Sequence, residues 1–154
     1  MPHIVLKQGL WVLVCDGRKA LLLENMGDHV YPKLVTRQVL QHRDLPTHEL
    51  GSDVPGRTFS ARNGRHAAIE PTDVHDVSEK TFLSGIAHRI NREIESGHVK
   101  KLIVAAPARA LAVLREGLSQ NAKKALQAEF DKDFVRMPIY EIEQHLKKLL
   151  ARHT

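Results

Sequence analysis

The chain has 154 residues, 42% hydrophobic and 27% charged, a globular balance that excludes wholesale disorder. At this length folding buries roughly 68–70% of the surface the unfolded chain exposes, so a single domain spanning 1–154 with one core is expected. Its only cysteine, Cys15, excludes an intramolecular disulfide and any zinc site built on two or more thiolates.

The opening MPHIVLKQGLWVLV lacks the basic start, long apolar run and small-residue cleavage site of a signal peptide. No apolar run approaches the ~18 residues of a membrane span, and the expected compartment is the cytoplasm. Twenty-three Lys and Arg against eighteen Asp and Glu give +5 with histidines neutral. Such a surface attracts polyanions, nucleic acid among them, although it also serves solubility.

Leu10-Trp-Val-Leu-Val-Cys15 and Lys19-Ala-Leu-Leu-Leu-Glu24 are apolar runs separated by Asp16-Gly17-Arg18, the pattern of a β-hairpin. Asn25-Met-Gly-Asp28 reads as a second turn. Lys33 to His42, with its Val and Thr content, reads as a third antiparallel strand. From about 43 to 77 the pattern dissolves among Pro46, Gly51, Pro55, Gly56, Gly64 and Pro71. A connection of that length in a compact domain is usually functional or mobile.

Asp76-Val-Ser-Glu79 fits a capping box, placing a helix start there. Phe82, Ile86, Ile90 and Ile94 recur at four-residue steps, Leu83 and Ala87 widen the stripe, and Gly97 stops it. Leu102 to Ala106 reads as a strand covered on both faces, with Pro107 opening a helix marked by Leu111, Leu114 and Leu118. Ser119-Gln-Asn121 breaks that helix, and Ala122 to Phe130 reads as another. Phe134 to Met137 reads as a short edge strand. Pro138 and the spacing of Ile139, Ile142, Leu146, Leu149 and Leu150 mark a C-terminal helix. The fold class is therefore α/β, with three antiparallel strands, a helix, a parallel strand, helices and a short edge strand. That is the order of an RNase H-like mixed sheet.

Nucleases of that architecture gather carboxylates around two metal ions. Asp16 stands at a suitable turn, but Ala105, Ala106 and Pro107 occupy the place of a second acid, and an aspartate before glycine is ordinary turn chemistry. Asp73-Val-His75-Asp76 would bring metal-binding groups together only if extended. Cys15, in an apolar strand end, suits a buried small hydrophobe better than a thiolate nucleophile. Neither a Walker loop, Gly-x-Gly-x-x-Gly nor Gly-x-Ser-x-Gly occurs. No catalytic residue, metal or cofactor is assigned.

Gly56 to His66 carries Arg57, Phe59, Arg62, Asn63 and Arg65 and no acid. Arginines contact phosphates and an aromatic ring stacks on an unpaired base, while a solvated loop with Phe59 on the core is the alternative. RNA contact is assigned to these five residues, together with Arg89 and Arg92 on the long helix.

Trp11-Val-Leu-Val-Cys-Asp-Gly-Arg-Lys-Ala-Leu-Leu-Leu-Glu-Asn25, Phe82 and Ala87, Leu102-Ile-Val-Ala-Ala-Pro-Ala-Arg-Ala-Leu-Ala-Val-Leu-Arg115 and Asp131-Lys-Asp-Phe-Val-Arg-Met-Pro138 resemble the bacterial family of proteins required for attachment to host cells. The resemblance covers nearly the whole chain. Through that family the chain is similar to relatives of the central domain of peptide-chain release factors, which implies an RNase H-like fold and a link to translation. Release factors carry Gly-Gly-Gln in the long loop, whereas this chain offers Arg62-Asn-Gly-Arg65 and has no Gly-Gly-Gln anywhere. Peptidyl-tRNA hydrolysis is not carried over.

The resulting expectation is a non-catalytic binding module for ribosomes or structured RNA. A cytoplasmic protein–protein interaction domain acting indirectly in attachment is the alternative, and a metal-dependent hydrolase is a third reading. No membrane partner is expected.

Overall fold

The structure, a computed structural model, describes residues 5–42 and 71–152. Along the chain run β1 (Trp11–Cys15), β2 (Lys19–Asn25), β3 (Leu34–Gln41), α1 (Pro71–Glu95), β4 (Leu102–Ala106), α2 (Ala108–Gly117), α3 (Gln120–Ala125), β5 (Leu126–Asp131) and α4 (Ile139–Arg152). The strands form one sheet in the order β3-β2-β1-β4-β5. β2 is antiparallel to both β1 and β3, and β4 is parallel to both β1 and β5. The antiparallel meander and the parallel return of β4 onto β1 are as the sequence predicts.

Side chains alternate across each strand, and the register turns that alternation into two cores. Leu13 lies opposite Leu22 on one side and Val104 on the other. This layer, with Cys15, packs under α1 and α2 through Leu83, Ile86, Ile90, Leu111 and Leu114, and under α3 through Ala122. The intervening Val12, Val14, Ile103 and Ala105 face Ile142, Leu146 and Leu150 of α4. All five residues of β4 are buried, which explains its unbroken apolar sequence. The close approach of α2 to α1 depends on Gly117, where an added Cβ would lie 2.8 Å from the Ala87 Cβ. Gly97 ends α1 at a φ of 86°, a conformation other residues seldom adopt.

Among the described residues one polar side chain lies fully inside. Asn25 has no exposed surface. Its Nδ2 donates to the carbonyls of Leu6 (2.6 Å) and Lys7 (3.2 Å), and its Oδ1 accepts from the amides of Gly27 (3.0 Å) and Lys33 (2.8 Å). Its backbone amide donates to the carbonyl of Leu10 and its carbonyl accepts from the amide of Gly9, each at 2.9 Å. This one residue ties the segment leading into β1 to the β2–β3 connection.

Four expectations are corrected. α1 begins by Pro71, a residue whose fixed φ suits a first helical turn, so Asp76 lies inside the helix and is not its cap. The irregular stretch therefore does not extend to 77. Ala122 to Phe130 is not one helix: α3 stops at Ala125, and Leu126–Asp131 is the edge strand. Phe134 to Met137 is not a strand. Phe134 and Val135 are buried under α4 in a turn closed by the Met137 amide on the Phe134 carbonyl.

Replacing Asn25 with alanine strands two backbone carbonyls and two amides and should lower unfolding free energy by about 2–3 kcal/mol. Leu146→Ala, emptying the centre of the α4 core, should cost about 2–5 kcal/mol. Urea denaturation measures both, and a loss under about 0.5 kcal/mol at Asn25 would show that water replaces its partners.

Candidate functional site

Because β1 and β4 run parallel, their carboxyl ends meet at one end of the sheet. Open α/β sheets bind ligands in the crevice outside such ends. Here a cavity of about 580 Å³ opens between the Asp16–Gly17–Arg18 turn, the early turns of α1 and the start of α2. Arg18, Lys80 and Arg109 line it together with Asp16, Glu79 and Glu116, an even balance of charge.

Asp16 is engaged in the turn itself. Its Oδ1 accepts from the amides of Arg18 (2.8 Å) and Lys19 (2.9 Å), the local bonding that selects Asp before Gly. Glu79 lies against that turn, so close that a Cβ on Gly17 would sit 2.6 Å from its Oε1. On the β4 side stand Ala106 and Pro107, and α2 starts at Pro107 with no side-chain cap. Among the described residues no three His, Cys, Asp or Glu side chains group as metal ligands. Residues 73–76 belong to α1, so the extended spacing needed for a metal pair at Asp73 and His75 does not hold. Cys15 is fully buried, and burial, reinforced by the charges of Asp16 and Asp133, pushes its thiol up to about 12. It is no nucleophile in this state.

Arg57, Phe59, Arg62, Asn63 and Arg65 lie outside the described residues. The described elements that flank them, β3 and α1, each connect to this cavity. The amide of His42, just after β3, donates to the Arg18 carbonyl at 2.7 Å, and Val77, Glu79 and Lys80 of α1 line the opening. Arg89 and Arg92 are farther along α1. Arg92 is exposed and Arg89 half-buried. Partial burial works to raise the Glu93 carboxyl, but hydrogen bonds from Gln38 and His98, with the charges of His98 and Arg89, hold it below its ordinary value. Arg89 thus faces an acid, and Arg92 is the better placed of the two for an external anion. Arg18, Lys80 and Arg109 were not legible as neighbours in the sequence, because only the packing of α1 and α2 beside the β1–β2 turn brings their three segments together.

Fold and cleft define a mixed α/β protein with a crevice at the carboxyl ends of two parallel strands. A family model described as "Protein required for attachment to host cells" matches residues 11–146, and the chain belongs to that family. No curated protein matches it. Among solved structures it is similar to the archaeal translation termination factor aRF1, with 13% identity and a TM-score of 0.47 over 94% of this chain and 37% of that one. It is also similar to Dom34 of S. cerevisiae, described as a translation termination-like factor involved in RNA quality control, with 11% identity and a TM-score of 0.41 over the same shares. The chain thus spans little more than a third of either protein, and likenesses of this size carry no functional argument.

If Asp16 serves the turn, Asp16→Ala should cost about 1–2 kcal/mol in urea denaturation, with Asp16→Asn, which keeps an acceptor, costing less. A stable Asp16→Ala protein that loses a metal-dependent nuclease activity present in the wild type would instead make Asp16 catalytic.

Proposed function

We propose that this protein is a non-catalytic binding module that engages the ribosome or structured RNA through the segment Gly56–His66. The observation that carries the proposal is the basic character of that segment, with Arg57, Arg62 and Arg65 and no acid from Gly56 to His66. On either side of the stretch that contains it, the described structure touches a charged cavity: His42 is bonded to Arg18, which lines that cavity, as do Val77, Glu79 and Lys80 of α1. The lining of that cavity includes Arg18, Lys80 and Arg109. Guanidinium groups recognise phosphate bidentately and stack on bases, and Phe59 adds a stacking surface.

The choice of RNA over other polyanions follows the sequence resemblance to release-factor central domains, without their hydrolytic Gly-Gly-Gln. The role in host attachment is then indirect and exerted from the cytoplasm. No described helix is long and apolar enough to cross a membrane.

Sedimentation of tagged protein through sucrose gradients of cell lysate, at low and high salt, tests this. Wild type should travel with ribosomes at low salt and leave them at high salt, and Arg57→Ala/Arg62→Ala/Arg65→Ala should stay at the top. Wild type confined to the top at every salt concentration would sink the RNA assignment and favour a protein-docking module.

A further inference from the structure

We infer that the outer surface of α1 is a second contact tract for the RNA, with phosphates crossing the helix obliquely from Lys80 to Arg92; this rests on the function proposed above.

Between Lys80 and Arg92 the chain has no acidic residue and contains Lys80, His88, Arg89 and Arg92. Residues four apart form a ridge inclined to the helix axis, and Lys80, Ser84, His88 and Arg92 make such a ridge, every member exposed. The adjacent row holds Thr81, Gly85 and the half-buried Arg89. Ser84 and Gly85 keep the middle low, and a Cβ placed on Gly85 would meet nothing within 4 Å. Between Lys80 and His88 a strand laid across this surface meets only small side chains.

The ridge starts at the cavity, which Lys80 lines, and ends about 18 Å away at Arg92, from the rise of a helix. Acids bordering Arg92 are occupied elsewhere: Glu93 binds Gln38 and His98, and Glu95 accepts from Asn121. The helix turns its apolar residues Leu83, Ile86, Ala87 and Ile90 into the core. The ridge itself therefore lacks the apolar side chains that membrane insertion requires and the aromatic anchors that carry protein interfaces. Spaced cations separated by small polar residues complement a phosphate backbone, whose contribution to binding is electrostatic.

The test is fluorescence anisotropy of a labelled RNA stem–loop with the full chain over a potassium chloride series. It compares wild type, Lys80→Ala/Arg92→Ala, Ser84→Asp and the triple arginine variant of Gly56–His66. All changes on α1 are at exposed positions, and thermal melting checks that each variant is folded. Loss of two phosphate contacts should reduce the slope of log K against log salt by about 1.5. Ser84→Asp, which truncates nothing, should weaken binding at low salt. Wild-type titrations for both α1 variants beside a weakened triple arginine variant would overturn the tract and leave the loop proposal standing. Absence of salt-dependent binding by wild type would overturn both.

Discussion

Everything in this molecule hangs on β1 lying in the middle of the sheet. A strand with antiparallel β2 on one edge and parallel β4 on the other has no edge left for solvent, and its alternating side chains must find apolar cover on both faces. Val12, Leu13, Val14 and Cys15 supply that sequence. The covers differ: three helices pack on the Leu13 face, while α4 and the Phe134–Val135 turn pack on the Val12 face. Parallel pairing imposes a further condition, since the chain must cross from one end of the sheet to the other before β4 begins. α1 makes that crossing, and the same requirement leaves the ends of β1 and β4 side by side with a crevice between them.

The two ends of the sheet are therefore built for different purposes. At the Trp11 end, Asn25 sits at the close of β2 with both polar atoms of its side chain bonded twice to backbone. A buried amide with every partner in place rigidifies and specifies its surroundings. At the Cys15 end stand the Asp16 turn and charged groups from three separate segments that line the cavity. Rigid support at one end and recognition groups at the other is the usual division between scaffold and binding loops in α/β proteins.

Where local pattern and tertiary demand agree, the sequence was legible. The β1–β2 hairpin, the fully buried β4, the Ile86–Ile90 stripe and α4 each show the period their environment requires. β5 was not legible, because Leu126-Gln-Ala-Glu is built of helix formers and becomes a strand only by pairing with Leu102 to Ala106. Phe134 and Val135 erred in the opposite direction: strand-favouring residues that are buried by α4 without joining the sheet. Of the site, the family resemblance and the basic character of Gly56–His66 could be read directly. The company of Arg18, Lys80 and Arg109 could not, since it depends on how α1 and α2 pack beside the β1–β2 turn, which no spacing along the chain encodes.

The seclusion of Cys15 gives the protein a built-in reporter. It is the sole thiol in the chain, and it ends the central strand, which contributes to both cores. A small alkylating reagent can reach its sulfur only through openings that part α1 and α2 from the sheet. The labelling rate in native buffer therefore tracks the population of such openings, and it does so without an introduced probe. Binding at the cavity that stabilises the closed sheet would register as slower labelling, in proportion to the free energy it contributes.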